Sequence, residues 1–214
     1  MELAGVRIAS DHVAGAIRAY ALLLDVVASP LGAGAARFRL DRGTVDVVSG
    51  PPGLQAVRFA GGDDDVAPRA NGIDVVVDGA DDLAASSNVG VAIDHVVVHT
   101  GDPERAIALW RDRVGLRLAL DREFPARHLR LLFFRSGGIT LEYASPLPAA
   151  DPAGIDRLYG VSYRVTDLPG RRDRLLASGI DVSEIRPGMR PGTTVATVRS
   201  GTAGVPTLLL QLDA

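Results

Sequence analysis

The stretch that decides the fold is IDHVVVHTGDPERAIALW, residues 93–110. Its opening part is rich in β-branched side chains, as expected for a strand, and carries a histidine, His95, near the start. A helix follows, because Asp102 can accept hydrogen bonds from the free N–H groups of the first turn, and Pro103 needs no such bond at the first helical position. Three more β-like runs come next, at residues 116–121, 128–134 and 139–144. The element order is therefore βαβββ.

The same unit recurs earlier in the chain. The stretch that begins at residue 3 aligns without a gap with the stretch that begins at residue 93, so that Gly5 takes the position of His95. The last strand of the unit aligns as well and places Val47 at the position of Glu142. A first βαβββ unit is therefore predicted over residues 3–50.

A second pair of related units begins near residues 54 and 160. Arg58 aligns with Arg164 in their first strands. After an intervening helix, NGID at residues 71–74 echoes SGID at residues 178–181, and the glycine is typical of the end of a helix. The later unit has all its strands, whereas the earlier one ends after one further strand.

These repeats predict an α+β protein in which repeated βαβββ units form cupped mixed sheets. The acidic, small-residue segment 78–90 is typical of a linker between two domains. The first domain, residues 1–84, is degenerate and truncated, and the second, residues 91–214, carries the candidate site. The four units cover residues 3–50, 54–78, 93–146 and 157–212.

The composition excludes several classes of function. A net charge of −3 provides no basic excess to neutralise nucleic-acid phosphates. The absence of cysteine removes disulfides, thiolate ligands and thiol nucleophiles, and the absence of lysine removes Schiff-base chemistry. No signal segment and no apolar run of membrane-spanning length is present. We expect a cytoplasmic protein with no nucleic-acid or membrane partner, and the Ala-, Gly-, Val- and Arg-rich composition indicates a high-GC genome.

The paired units, with His95 in IDHVVV and Glu142 in ITLEYASP, resemble the vicinal oxygen chelate superfamily. That superfamily contains glyoxalase I, bleomycin- and fosfomycin-resistance proteins, methylmalonyl-CoA epimerase and extradiol dioxygenases. The stretches LFFRSGGITLE, YRVTDL and GVPTLL look like uncharacterised glyoxalase-like bacterial members. The resemblance is strongest over residues 91–212. It implies a half-open cup with a divalent metal on its concave face, bound by ligands from the first and last strand of each unit.

The resemblance implies that one pair of metal ligands survives, His95 and Glu142. The positions of the second pair fall on Gly160 and on Gln211, whose amide oxygen is a neutral and weaker donor. Such nitrogen and oxygen ligands suit Zn, Ni, Mn, Fe or Co. Without a metal, the histidine is either a buried imidazole bonded to the glutamate, or an acid, base or hydrogen-bond partner for a ligand. All these alternatives stay open from the sequence.

Three further residues are candidates for ligand binding. His99 follows His95 on the same strand face but roughly 13 Å away, at about 3.3 Å per residue, which predicts a place at the pocket rim. Ser162 and Arg164 share the concave face of their strand, where the arginine could bind a carboxylate or phosphate; the alternative is an arginine that reaches solvent. The segment RPGMRPG, residues 186–192, reads as a hairpin loop that could close over the cup.

Two classes of function remain. The first is an enzyme with lyase- or isomerase-like proton transfer on a small polar or aromatic ligand, assisted by a divalent metal or by His95 and Glu142 directly. The alternative is a non-catalytic drug- or metabolite-binding protein like the bleomycin-resistance proteins, whose cups often form between the subunits of a homodimer. We expect neither extradiol dioxygenase nor true glyoxalase I activity, because the family draws those ligand sets from positions that include Gly160 and Gln211 here.

Overall fold

The computed structural model of the protein describes residues 1–61, 69–78, 88–149, 151 and 153–213. Its first sheet has seven strands in the order β2-β3-β4-β1-β5-β7-β6 and one helix, α1. The element bounds are β1 (Glu2–Ser10), α1 (Val13–Leu24), β2 (Ser29–Gly32), β3 (Ala35–Arg39), β4 (Thr44–Ser49), β5 (Gly53–Ala60), β6 (Arg69–Ala70) and β7 (Ile73–Asp78). The predicted helix between β5 and β7 and the middle of the predicted linker fall on residues 62–68 and 79–87, outside the described residues.

The second sheet has eight strands in the order β13-β14-β15-β12-β8-β11-β10-β9. Its elements are β8 (Val91–His99), α2 (Pro103–Ile107), β9 (Arg117–Phe124), β10 (Leu129–Ser136), β11 (Ile139–Pro146), β12 (Arg157–Val165), α3 (Leu168–Ala177), β13 (Arg186–Pro187), β14 (Thr193–Val198) and β15 (Thr207–Leu212). Each unit pairs its first and last strands in parallel, and the two first strands, β8 and β12, join the units antiparallel. The predicted α+β fold of cupped mixed sheets built from βαβββ units is therefore confirmed.

The helix after β8 begins as the sequence predicts. The Asp102 carboxylate accepts a hydrogen bond from the Arg105 N–H at 3.0 Å, and Pro103 occupies the first helical position. The helix continues as a π-helical segment, Ala108–Arg113, and Gly115 then adopts a φ of +80°. This positive φ favours glycine and ends the helical segment before β9.

The truncated unit differs from its prediction in one respect. β7 pairs in parallel with β5, just as β15 pairs in parallel with β12. The echo between residues 71–74 and 178–181 had suggested that β7 matches the strand that follows α3. The structure shows instead that β7 takes the place of the last strand of the unit, since it pairs with β5 as β15 pairs with β12.

Side chains alternate between two environments along the strands of the second sheet. On β11, Leu141 and Tyr143 are fully buried in the core, whereas Thr140 and Glu142 line a cavity on the concave face. On β10, Phe134 belongs to the same core, and residues 131, 133 and 135 line the cavity. The two-residue period therefore separates a packed convex face from an open concave one.

One continuous apolar core runs through both sheets. Trp110, which is fully buried, stacks on Phe59 of β5 with ring centroids 5.7 Å apart. Polar contacts also cross between the two halves, such as the bond of 2.7 Å from the Leu3 N–H to Ser136 Oγ. The first sheet thus packs against the second sheet and its helical segment. None of the helices that the structure describes is both long and apolar enough to cross a membrane.

Candidate functional site

A cavity of about 370 Å³ opens on the concave face of the second sheet. Its lining includes three titratable side chains, those of Asp94, His95 and Glu142. Three arginines also line it, at positions 135, 186 and 190. The apolar part of the lining consists of Leu131, Phe133, Met189, Val195, Leu208 and Leu210. The cavity therefore combines titratable groups with an apolar wall, as small-molecule sites generally do.

An irregularity in β8 brings Asp94 and His95 to the same cavity. Consecutive strand residues normally point to opposite faces. In the pairing with β12, however, His95 lies opposite Ser162 and Ile93 lies opposite Tyr163, so that Asp94 has no partner of its own. Such a β-bulge redirects the extra residue. The Asp94 carboxylate consequently lies beside the imidazole that follows it in sequence.

The His95 ring is bonded at both nitrogens. Nδ1 lies 2.9 Å from Asp94 Oδ2, and Nε2 lies 2.7 Å from Ser162 Oγ. Because a carboxylate only accepts hydrogen bonds, the neutral ring carries its hydrogen on Nδ1, and Nε2 accepts from the Ser162 hydroxyl. Glu142 Oε2 lies 3.8 Å from the same Nε2. Nε2 is therefore the ring atom that faces Glu142, and the hydrogen bond from Nδ1 to Asp94 fixes the orientation of the ring.

The two carboxyl groups differ in their electrostatic environment. Burial alone would raise the pKa of Asp94, but the hydrogen bond and charge of His95, together with the charges of Arg164 and Arg135, lower it below its ordinary value. Burial raises the pKa of Glu142, a shift that the charge of His95 opposes and the charge of Asp94 reinforces. Asp94 thus remains ionised as the partner of the ring, whereas Glu142 holds its proton to higher pH.

The raised pKa of Glu142 makes a prediction about stability. Stability that depends on protonated Glu142 is fully present below the ordinary glutamate pKa and is lost as the pH rises through the higher pKa of the folded state. Glutamine cannot ionise, so Glu142→Gln should be more stable than the wild type by about 1 kcal/mol at about pH 8. This advantage should disappear towards about pH 4, below the pKa of both states. Urea unfolding across this pH range measures it.

Glu123→Gln provides the control for this experiment. Glu123 lies exposed on β9, away from the cavity lining. Its substitution should change the free energy of unfolding by less than about 0.5 kcal/mol at each pH. A Glu142→Gln variant that is less stable than the wild type at about pH 8 would show that the site does not disfavour the ionised form of Glu142.

The carboxylate–imidazole–hydroxyl chain has the composition of a nucleophilic triad, but the serine is not placed as a nucleophile. Ser162 is only 2% exposed, and it does not belong to the cavity lining. A nucleophile must reach a position that a reacting atom can occupy. Ser162 therefore orients the ring, and the face of His95 towards Glu142 is the part that a ligand can meet.

Two of the residues predicted at the cup lie elsewhere. His99 is exposed and stacks on Tyr159 with ring centroids 4.1 Å apart, beside a separate depression near the end of β8. Burial lowers the pKa of His99. Arg164 lines another shallow depression that includes Asp41 and Arg42. Its charge acts on Asp94, but its side chain does not join the cavity of His95.

Gln211, the third predicted metal ligand, points away from the cup. Its Oε1 accepts a hydrogen bond from the Leu168 N–H at 2.6 Å, at the start of α3. The strand period explains this, because Leu208 and Leu210 face the cavity and Gln211 therefore faces the helix side. The amide oxygen caps the start of a helix instead of completing a ligand set.

The donor set does not fit the divalent metal that the resemblance implied. Metal sites of this kind need three or more firm ligands. Across the described ranges, no three His, Cys, Asp or Glu side chains are arranged to hold a metal ion. His95 has one nitrogen bonded to Asp94 and the other to a neutral hydroxyl. We therefore derive no chemical step through a metal.

The first sheet carries a different arrangement at the corresponding positions. Arg7 pairs with Asp46 in β1 and β4, and Val97 pairs with Glu142 in β8 and β11. Asp46, and not the predicted Val47, therefore stands at the place of Glu142. By the same reasoning Gly5, at the place of His95, lies opposite Arg58, as His95 lies opposite Ser162. Arg58 corresponds to Ser162, and not to Arg164.

These positions hold a buried ion-pair network. Arg58 Nη1 lies 2.9 Å from Asp46 Oδ2, and Arg58 Nη2 lies 2.6 Å from Asp78 Oδ2. Arg37 Nε lies 2.7 Å from Asp46 Oδ1. The Arg58 and Asp46 side chains are 0% and 1% exposed. The Asp46 carboxylate is therefore paired with two arginines, and these positions of the first sheet hold an ion-pair network in place of an open histidine–glutamate pair.

Sequence reasoning missed Asp94 as a member of the site, along with the arginines of the lining. Asp94 directly precedes His95, so simple alternation placed it on the opposite face. Arg186 and Arg190 lie in the loop that was predicted to close over the cup, but no spacing rule assigned their side chains. The available signal was the occurrence of two arginines in one Pro- and Gly-rich loop beside the predicted cup.

Comparison with known proteins relates the second sheet to a superfamily. Residues 94–197 match the family model described as Glyoxalase/Bleomycin resistance protein/Dioxygenase superfamily. No protein of curated function matches the sequence. Among solved structures, the halotolerant catechol dioxygenase BphC is 13% identical, with 98% of this chain and 86% of that chain covered and a TM-score of 0.72.

Two further solved structures match over part of the chain. Methylmalonyl-CoA epimerase from Mycobacterium tuberculosis is 20% identical, covers 62% of this chain and 93% of its own, and gives a TM-score of 0.47. A hypothetical protein from Bacillus halodurans is 18% identical, covers 58% of this chain and 96% of its own, and gives a TM-score of 0.48. At 13% identity the dioxygenase match shows a shared fold over nearly the whole chain. Residues 94–197, which form most of the second sheet, therefore belong to the glyoxalase/bleomycin resistance protein/dioxygenase superfamily.

Proposed function

We propose that the protein binds a small organic molecule in the cup of the second sheet and catalyses a proton transfer on it, of the lyase or isomerase type, through His95 and Glu142 directly. His95 would act as the base and Glu142 as the acid. The single observation that carries this proposal is the pair itself: an imidazole Nε2 whose ring is oriented by Asp94, 3.8 Å from a partly buried carboxyl, in the lining of a cavity.

The environment of each group supports its role. The raised pKa of Glu142, caused chiefly by burial, favours the protonated form, which is the form that can donate a proton. Ionised Asp94 fixes the hydrogen on Nδ1 and stabilises the imidazolium that forms when Nε2 takes a proton. The pKa values of the two carboxyl groups beside the ring, Asp94 and Glu142, are thus shifted in opposite directions, as suits different roles in catalysis.

Proton exchange in heavy water tests the proposal. A panel of small acids and ketones that carry an acidic C–H next to a carbonyl and a neighbouring oxygen is first screened for compounds that raise the Tm of the protein. Proton NMR then follows the loss of the C–H signal of each binding compound in D₂O. We expect protein-dependent exchange for at least one of them, at the same rate with EDTA as without it.

Two outcomes would count against the proposal. Compounds that bind and raise the Tm but never exchange their C–H would assign the cup to non-catalytic binding, the alternative function. Exchange that stops with EDTA and returns with Mn²⁺, Ni²⁺, Zn²⁺ or Fe²⁺ would instead assign the chemistry to a metal.

A further inference from the structure

The cavity carries a second set of charged groups that the acid–base pair does not use. Arg135 projects from β10, and Arg186 and Arg190 belong to the hairpin that β13 and β14 form. Within the described part of the chain, none of these three guanidinium groups makes a hydrogen bond or an ion pair. Other arginines of this protein are paired, such as Arg130, which binds Asp121 with distances of 2.8 Å from both Nε and Nη2.

The charge of this lining opposes that of the whole chain. The lining contains three arginines and two acidic residues, Asp94 and Glu142, so it carries a net positive charge even with both carboxyls ionised, whereas the chain as a whole carries −3. A cationic concavity in an acidic protein attracts anions from solution. The ionised Asp94 carboxylate beside His95 repels the same anions, so a bound anionic group is directed towards the hairpin.

The backbone of the hairpin that carries Arg186 and Arg190 is held by hydrogen bonds. The Gly188 N–H donates to the Thr193 carbonyl at 2.8 Å, and Thr193 Oγ1 donates to the Arg190 carbonyl at 2.6 Å. A Cβ on Gly188 would lie 2.2 Å from Thr193 Oγ1, so this close approach requires glycine. The loop between Arg186 and Thr193 is therefore tied back onto β14, which lowers the ordering cost of binding through these side chains.

The cavity also has an apolar wall. Phe133 and Leu131 come from β10, and Val195, Leu208 and Leu210 come from β14 and β15. A ligand that spans this wall must therefore bury a hydrophobic body. Guanidinium groups bind carboxylate and phosphate oxygens in charge-assisted hydrogen bonds.

We propose that the cup takes an amphipathic organic acid, whose anionic group binds Arg186 and Arg190 of the hairpin and whose apolar or aromatic body lies on Phe133 and its neighbours. The proposal rests on the proposed function in one respect, because it assigns a class of ligand to the same cavity. Binding alone tests it, without any requirement for proton transfer.

The test compares two probes of the same shape, 2-naphthoate and neutral 2-naphthamide, by isothermal titration calorimetry with the full chain. The wild type should bind 2-naphthoate at least about tenfold more tightly, the usual size of an effect from hydrogen bonds to a charged group. In Arg186→Gln/Arg190→Gln this preference should fall to about one, with the affinity for 2-naphthamide unchanged. Arg135 is left in place because its charge acts on Asp94.

Arg113→Gln is the matched control, because Arg113 is exposed and lies outside the cavity lining. It should keep the wild-type preference for the acid. His95→Gln should keep it as well, so loss of proton exchange and loss of anion binding are separable results. Equal affinity of the wild type for both probes, a preference that survives in the double variant, or failure of both probes to bind would each overturn the proposal.

Discussion

His95→Gln should slow the exchange of the ligand C–H by 10²- to 10⁴-fold, the usual contribution of a general acid–base group. Glutamine retains a polar group of similar length but has no nitrogen that takes up a proton near neutral pH. The variant would also lose the imidazole that Asp94 and Ser162 orient through hydrogen bonds to its two nitrogens. NMR exchange rates for wild type and variant, each at saturating ligand, measure the effect.

The matched control is His99→Gln on the same strand. His99 stacks on Tyr159 beside another depression and does not line the cup, so its exchange rate should equal that of the wild type. Ligand binding to His95→Gln should persist, because the apolar wall and the arginines remain. A His95→Gln variant that exchanges the ligand at the wild-type rate would remove His95 from the chemistry.

Arg58→Met should lower the free energy of unfolding by about 3–5 kcal/mol, the usual cost of removing one partner from a buried ion pair. Arg58 is the fully buried centre of the network in the first sheet, where burial lowers its pKa against the influence of Asp46 and Asp78. Methionine has a similar length and no charge, so most of the volume remains filled. The loss would come from the carboxylate left unpaired at Asp78, since Asp46 keeps Arg37.

Two comparisons distinguish lost charge from altered packing. Arg58→Met/Asp78→Asn removes the unpaired carboxylate and should recover part of the loss in urea unfolding. Arg172→Ala breaks a pair whose Glu184 partner is 89% exposed, and it should cost less than about 1 kcal/mol. A single Arg58→Met variant as stable as the wild type would show that the network contributes nothing to stability.

The two sheets use equivalent strand positions for different purposes. In the second sheet a histidine and a glutamate remain open to a cavity, and burial leaves the glutamate with a raised pKa. In the first sheet Asp46 is neutralised by arginines on both sides, and glycine stands at the position of the histidine. The first sheet thus converts the acid–base position into a structural ion-pair network and supports the second through the shared core.

Much of the architecture followed from the sequence. The β-branched run at residues 93–99, the Asp102 cap and the recurring order of elements predicted the βαβββ units, and the structure confirms the fold. Local rules sufficed there because helix caps and strand composition act over a few residues. The resemblance to the superfamily placed His95 and Glu142 on the first and last strands of one unit, and the structure pairs these two strands in parallel.

The tertiary structure alone decided which side chains share the cup. An alignment error of a single residue exchanged Val47 for Asp46, and the bulge at Asp94 turned an apparently opposite carboxylate towards His95. On β15 the period placed Gln211 on the helix side. The physical reason is common to all three: a strand alternates its faces at every residue, so one step in register or one bulge moves a side chain to the other side of the sheet. The spacing of residues in the sequence indicated which segments form strands, whereas the hydrogen-bonded register determined which side chains face the cup.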